Sequence, residues 1–283
     1  RVFCLSRGLG DVYKRQVLYG FFASVVALLL VSWGLVLIPG LPWRGRMVVG
    51  VPTKDYIFQS ANFLVCIFAL LGYAGEQARM RRWRPTAGSL VLVLLFLANI
   101  FFVVTSRTAL LVAPVLLLIL GWREFGWKGL LGTGLAGVIV GIAIWFGSPY
   151  MHERVATSLH ELQDYRTSDT ANSTGLHLEF LRKSLSFIET APIIGHGTGS
   201  IPEQFRQAAA GDTGASSTLS ANPHNQIFAV GIQLGIIGVA VLLAMWLAHL
   251  LLFCGGGLNA WFGMIIVVQN VVSSLFNSHL FDF

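Results

Sequence analysis

Charge is scarce in this 283-residue sequence. Only 11% of its residues are Asp, Glu, Lys or Arg, against roughly a quarter in a soluble domain. So few charges cannot furnish a water-facing surface, which excludes an ordinary soluble enzyme. Cysteine is sparse too: Cys4, Cys66 and Cys254 lie at the N-terminus or in or beside apolar stretches, so neither a disulfide framework nor a Cys-based metal site is indicated. His152, His160 and His196 lack the paired spacing of a zinc motif, and no metal is assigned. Internal repeats are absent, as are the paired broken helices and buried ionisable groups of an inverted-repeat transporter.

What the sequence has in abundance is apolar. Hydrophobic residues make up 55% of the chain and mean hydropathy is +0.70. Seven runs rich in Leu, Val, Ile, Phe and Ala stand out at roughly 17–38, 57–73, 87–104, 109–120, 129–147, 226–253 and 259–276, most of them near the ~20 residues that cross a bilayer as a helix. The pattern predicts an all-α integral membrane protein of about seven transmembrane helices with one large, partly helical polar loop. The organisation that follows is helices 1 to 5 over 17–147, the polar loop over 148–225, and helices 6 and 7 with an outer C-terminal end over 226–283. Residues 1–16 (RVFCLSRGLGDVYKRQ) read as a segment unrelated to the rest, of the kind a translated cloning remnant leaves, without the apolar core and cleavage site of a signal peptide.

The net charge of +6 reflects topology rather than nucleic acid, because most short-loop basic residues flank apolar runs. Arg79, Arg81, Arg82 and Arg84 share one loop, and Arg123 and Lys128 another two spans on. The positive-inside rule puts both in the cytoplasm and the long polar loop outside. Within that loop GLHLEFLRKSLSFIET spaces Leu178, Leu181, Leu185 and Ile188 as one face of an amphipathic helix, ended by Pro192 and Gly195. AAAGDTGASSTLSA, over 208–221, reads as a mobile loop. Glu153, Glu161, Asp164, Asp169 and Glu179 read as a solvated face. The GxxxG spacing among Gly132, Gly134, Gly137 and Gly141 reads as close helix packing.

Three places could carry chemistry. Arg107 in VVTSRTALLV sits where two apolar runs meet; it is either a snorkelling helix-end arginine or a fixed cation for an anionic, membrane-embedded ligand. His224 in NPHNQIFAV follows a proline at a loop–span boundary, where imidazole either caps a helix, as Asn222 and Asn225 would, or serves as a base or phosphate partner. Gly195, Gly197 and Gly199 in PIIGHGTG permit a tight turn, outside any dinucleotide-binding unit.

SRTALL at 106–111, LRKSLSFIETAPIIGHGTGSIPEQF at 181–205 and NPHNQIFAVGIQLGIIG at 222–238 together resemble the O-antigen ligase family of bacterial membrane glycosyltransferases, which includes O-antigen polymerase-like relatives. The likeness covers roughly residues 17 to 283, and because family members have further spans it implies that this chain is a C-terminal part. It implies transfer of a glycan from an undecaprenyl-diphosphate-linked donor to a lipid A–core acceptor, on the periplasmic face of the inner membrane among its lipids, without metal or other cofactor. Carried over to this sequence, the motifs imply His224 and Arg107 as catalytic residues and Arg182, His177, Asn225, Gly195 and Gly197 as substrate-binding ones. The family carries an arginine early in its periplasmic helix; here His177 holds that place, with Arg182 the nearest guanidinium. A polymerase of the same family and a non-enzymatic lipid-linked-sugar transporter are the alternatives.

Overall fold

A computed structural model describes residues 2–38, 49–53, 55–104, 106–147 and 149–279. These residues form helices α1 (Val2–Leu37), α2 (Tyr56–Arg79), α3 (Trp83–Phe102), α4 (Arg107–Gly147), α5 (Pro149–Ser168), α6 (Ser173–Thr190), α7 (Ile201–Ala208), α8 (Gln226–Leu252) and α9 (Leu258–Ser274), with a 3₁₀ turn at Gly214–Ser217 before α8. Five helical stretches are long and apolar enough to cross a membrane: Gln16–Leu37 of α1, α2, α3, Thr108–Ile139 of α4, and α8. α9 is a shorter apolar helix. The chain is an all-α membrane protein.

Two compact units divide the chain. The first comprises Arg1–Leu120 and Gly256–Gln269, the second Gly121–Gly255 and Asn270–Phe283. In the first unit α2 packs against α3, with the fully buried rings of Phe63 and Phe96 at 5.0 Å. Lipid cannot satisfy polar atoms, so the polar side chains inside this unit answer one another. Gln59 Nε2 donates to Ser32 Oγ at 3.0 Å, Asn99 Nδ2 to the same oxygen at 2.9 Å, and Gln59 Nε2 also to Gly50 O at 3.1 Å. These bonds tie α1, α2 and α3 at a completely buried point. Trp261 of α9 donates its indole N–H to Phe68 O at 2.9 Å, lying over Gly72, where any side chain would meet the indole.

The fourth and fifth apolar runs fall within one helical stretch, α4, which passes from the first unit into the second and breaks in the second at Gly126 (φ 63°, ψ −148°). A Cβ on Gly129 would fall 2.0 Å from Gly121 O, and one on Gly121 would fall 2.7 Å from the Thr133 side chain. Residues eight apart lie about 12 Å apart along a straight helix, so the chain doubles back here, in the segment carrying Arg123 and Lys128. Of the four glycines read as close-packing, Gly132, Gly137 and Gly141 have no heavy atom of the described residues within 4 Å of a Cβ built on them. Gly121 and Gly129 make the close approach instead.

α8 is also broken. Gly235 sits at φ 61°, ψ −158°, a conformation essentially restricted to glycine. The apolar run at 226–253 therefore contains two helical pieces, and the sequence-level expectation of no broken helices is corrected. The first piece, up to Leu234, packs with α6 and α7. Phe180, Phe187, Ile201, Phe205, Ala229 and Ile232 form its core. In the second piece Leu242 and Trp246 pack with Val230, and Val271 lies against them.

Candidate active site

The turn into α8 is built by asparagines. Asn225 is the N-cap: its Oδ1 accepts from the amides of Ile227 (2.9 Å) and Phe228 (3.2 Å), while its Nδ2 donates to Leu275 O at 3.0 Å. Asn222 Oδ1 accepts from the His224 amide at 2.7 Å and from the Ser278 hydroxyl, and Asn222 Nδ2 donates to Asn277 Oδ1 at 3.2 Å. The segment after α9 thus clamps the loop on both sides of Pro223. Held this way, His224 adopts φ 55°, the left-handed region that a side-chain-bearing residue enters only when its surroundings enforce it.

The exposed His224 ring meets α6. It stacks on Phe180 with centroids 5.7 Å apart and planes 28° apart, and it meets His177 edge to face at 6.0 Å. Phe180 is itself buried, its ring gripped edge-on by Phe205 at 5.6 Å, which in turn holds Phe187 at 5.3 Å. Two imidazoles 47 positions apart in sequence thereby share one exposed patch over an aromatic floor. Imidazoles placed like this can exchange a proton with a reacting hydroxyl and can bind a phosphate oxygen.

Arg182 lies elsewhere. Five residues beyond His177 on α6, it is rotated by about 140° around the helix. It grips Glu179 with two bonds, Nε to Oε2 at 3.0 Å and Nη2 to Oε1 at 2.6 Å. Glu179 is 1% exposed, not part of the solvated face expected from the sequence. Tyr165 donates its hydroxyl to Glu179 Oε2 at 2.7 Å, and the buried Lys183 ammonium lies 3.8 Å from Oε1. Burial pushes the Glu179 carboxyl up, but hydrogen bonds from Arg182 and Tyr165 outweigh it and hold the group below the ordinary carboxylate value. Burial and the bond to Glu179 push the Tyr165 phenol up, and the Glu179 bonds hold the Arg182 guanidinium above its usual value.

The same network fixes the small-residue segment that reads as mobile. Lys183 donates to Ser216 O. Asp169 Oδ2 accepts from the Ser216 amide (3.1 Å) and hydroxyl (2.5 Å), and the Ala215 amide donates to Asp169 O at 2.8 Å. Ala215 is fully buried. α6 itself forms where expected, but Leu181 and Leu185 of the predicted apolar stripe are exposed, while Phe180, Lys183, Ser184 and Phe187 face inward. The larger rings, which reach Phe205, take the core side.

Gly195 and Gly197 serve the break in α8. The His196 amide donates to Ile232 O at 2.8 Å and the Gly197 amide to Gln233 O at 3.0 Å, satisfying carbonyls that end the first piece. The Ile236 amide donates to Pro192 O at 2.8 Å and the Ile237 amide to Ile193 O at 3.4 Å, satisfying donors that begin the second. The Gly195 amide bonds Ala191 O at 3.1 Å, and Gln233 Oε1 accepts from Gly199 N at 2.6 Å. The PIIGHGTG loop is therefore the plug of the broken helix, not a free amide cradle. A Cβ on Gly195 would lie 2.4 Å from Gln233 C, and one on Gly235 2.3 Å from Ile193 O.

Arg107 is the first residue of α4; its side chain lies outside the described residues. The structure thus brings together His224, His177 and Asn225, groups Gly195 and Gly197 at the break, and places Arg182 in the Glu179 network. Phe180, Asn222 as clamp, and Gln233 were not picked out as site residues from sequence. The signal for the ion network was present in the spacing of Glu179 to Arg182 and Lys183, three and four residues along a helix.

A chain of hydrophobic helices, one of them broken and plugged by a glycine-rich loop beside a histidine pair, defines a helical membrane protein with an exposed polar site at the mouth of a span. The family model described as O-antigen ligase matches residues 90–243, more than half of the chain and all of the polar segment, and the chain belongs to that family. Its members are O-antigen ligases and polymerases, glycosyltransferase-like membrane enzymes. Comparison with curated proteins finds no match.

Proposed function

We propose that this protein is an O-antigen ligase that transfers a glycan from undecaprenyl diphosphate to the lipid A–core oligosaccharide. The reaction takes place at the periplasmic face of the inner membrane, with residues 148–225 on that side. The observation that supports this reading most is the His177–His224 pair at the entry to α8 in a chain of this family. The arginines at 79, 81, 82 and 84 and the Arg123–Lys128 turn support the orientation, since basic short loops stay in the cytoplasm.

In this reading an acceptor hydroxyl oxygen attacks the anomeric carbon of the donor sugar. The anomeric C–O bond to the diphosphate breaks, and its electron pair leaves with the lipid diphosphate. His224 takes the hydroxyl proton, and attack opposite the leaving group inverts the anomeric centre. Charge develops on the departing diphosphate, so cations help most in the transition state. Arg107 supplies one and His177, when protonated, another. Asn225 holds the His224 turn, Gly195 and Gly197 hold the plugged break, and Arg182 acts through Glu179 on the placement of α6. No metal or other cofactor takes part.

The test is complementation of a bacterium lacking its own O-antigen ligase. The expected result is polymer attached to lipid A–core on a lipopolysaccharide gel, lost when His224 is replaced by alanine at equal membrane abundance. Longer free polymer without attachment would identify a polymerase instead. Unattached donor moved across the membrane, with no new glycosidic bond, would identify a transporter.

A further inference from the structure

We infer that Phe180 is a positioning residue for His224: its buried ring sets the orientation of the imidazole and favours its protonated form. This rests on the reading of His224 as the proton acceptor.

The geometry carries the inference. Phe180 presents its face to the His224 ring at 5.7 Å. Its own place is fixed by Phe205, edge-on at 5.6 Å, in the buried cluster under α6. The backbone of His224 is fixed independently by the Asn222 turn at φ 55°. With the backbone held from one side and the ring from the other, little rotamer freedom remains to an exposed histidine. The face of an aromatic ring is its negative part, so the stack stabilises imidazolium over imidazole.

Several ionisable groups of the neighbouring elements have partners of their own among the described residues. On α6, Glu179, Arg182 and Lys183 are joined to one another, to Tyr165 of α5 and to Ser216. On α5, His160 pairs with Asp164 at 3.0 Å and Glu161 accepts from Thr174. On α7, Glu203 pairs with Arg206, and in the C-terminal segment His279 bonds Ser273 at 2.8 Å. His177, edge-on to His224, opposes a second charge when it is protonated.

The experiment measures glycan transfer against pH for wild type, Phe180→Leu, Phe180→Tyr and Phe187→Leu. The position of a pH limb does not depend on how much folded protein is present, so partial misfolding does not obscure it. Phe180→Leu is expected to move the His224 limb down by about half a pH unit and to lower kcat several-fold with KM little changed. Phe180→Tyr, which keeps the ring, is expected to hold the limb. Phe187→Leu, which damages the same cluster away from His224, is also expected to leave it in place. In a His224→Ala background Phe180→Leu is expected to add no further loss. A limb unmoved by Phe180→Leu, or moved as far by Phe187→Leu, overturns the inference. Full activity of His224→Ala alone would instead overturn the reading of His224 on which it rests.

Discussion

Replacing Gly235 by alanine puts a side chain into the break of α8. The backbone there, at φ 61° and ψ −158°, costs an alanine about 1–3 kcal/mol. The new methyl would lie 2.3 Å from Ile193 O and 2.4 Å from Ile193 C, contacts that only backbone movement relieves. That movement loosens the four hydrogen bonds joining 192–197 to the two helix ends, each contributing about 1 kcal/mol. A total loss of about 4 kcal/mol is expected if half of these bonds are given up. Gly197→Ala is the control: its φ of 95° is equally unsuited to alanine, but nothing lies within 4 Å of the added carbon, so only the strain of about 1–2 kcal/mol remains. Thermal unfolding of detergent-solubilised protein, followed by tryptophan fluorescence, reads both. Gly235→Ala is expected to lower Tm well below Gly197→Ala, and Gly195→Ala, meeting Gln233 from the other side, to resemble Gly235→Ala. Equal Tm for Gly235→Ala and wild type, or equal losses in Gly197→Ala and Gly235→Ala, would refute the plugged break.

Glu179→Gln removes the carboxylate beside the buried Lys183 and is expected to cost about 3 kcal/mol, read as a lowered Tm; Arg182, largely exposed, contributes little to that figure. Because the folded state holds Glu179 below its ordinary value, its stabilisation is present in full above the unfolded value near 4.3 and is lost as pH falls through the lower folded value. Wild-type Tm should therefore drop across that acidic window more steeply than Tm of Glu179→Gln. Asn225→Ala deletes a cap with two amide bonds and is expected to cost about 1–2 kcal/mol, with faster hydrogen exchange at Ile227 and Phe228. Asn99→Leu removes one polar partner of Ser32 inside the first unit and is expected to cost about 1 kcal/mol, again by Tm.

The helices were legible because hydrophobic content and run length are one-dimensional properties. The break at Gly126 falls in the charged stretch between two apolar runs, where a loop is expected, but the break in α8 was not legible: Gly235 sits in a run as apolar as an unbroken span, and only the partner segment that closes the backbone, Pro192–Gly197, reveals it. Likewise the leucine stripe of α6 gave the helix but not its inward face, since periodicity cannot tell that Phe180 and Phe187 find aromatic partners in Phe205. Of the candidate site, His224 and His177 were named from the motifs, yet their meeting depends on a fold that spans 47 residues. Arg182 is the guanidinium nearest to His177 along the chain. A helix surface turns about 100° per residue, so nearness along the chain does not put it beside His224. The small-residue segment around Ala215 looked loose because its ties come from Asp169 and Lys183, outside the segment itself.

The most direct test of the proposed chemistry is a purified transfer assay. It follows glycan movement from undecaprenyl-diphosphate-linked donor to lipid A–core in vesicles with a metal chelator present, comparing wild type with His224→Ala and Arg107→Ala. Metal-free transfer by wild type, lowered at least about a hundredfold in His224→Ala and sharply in Arg107→Ala, is the predicted result. Transfer by His224→Ala at the wild-type rate would contradict the account.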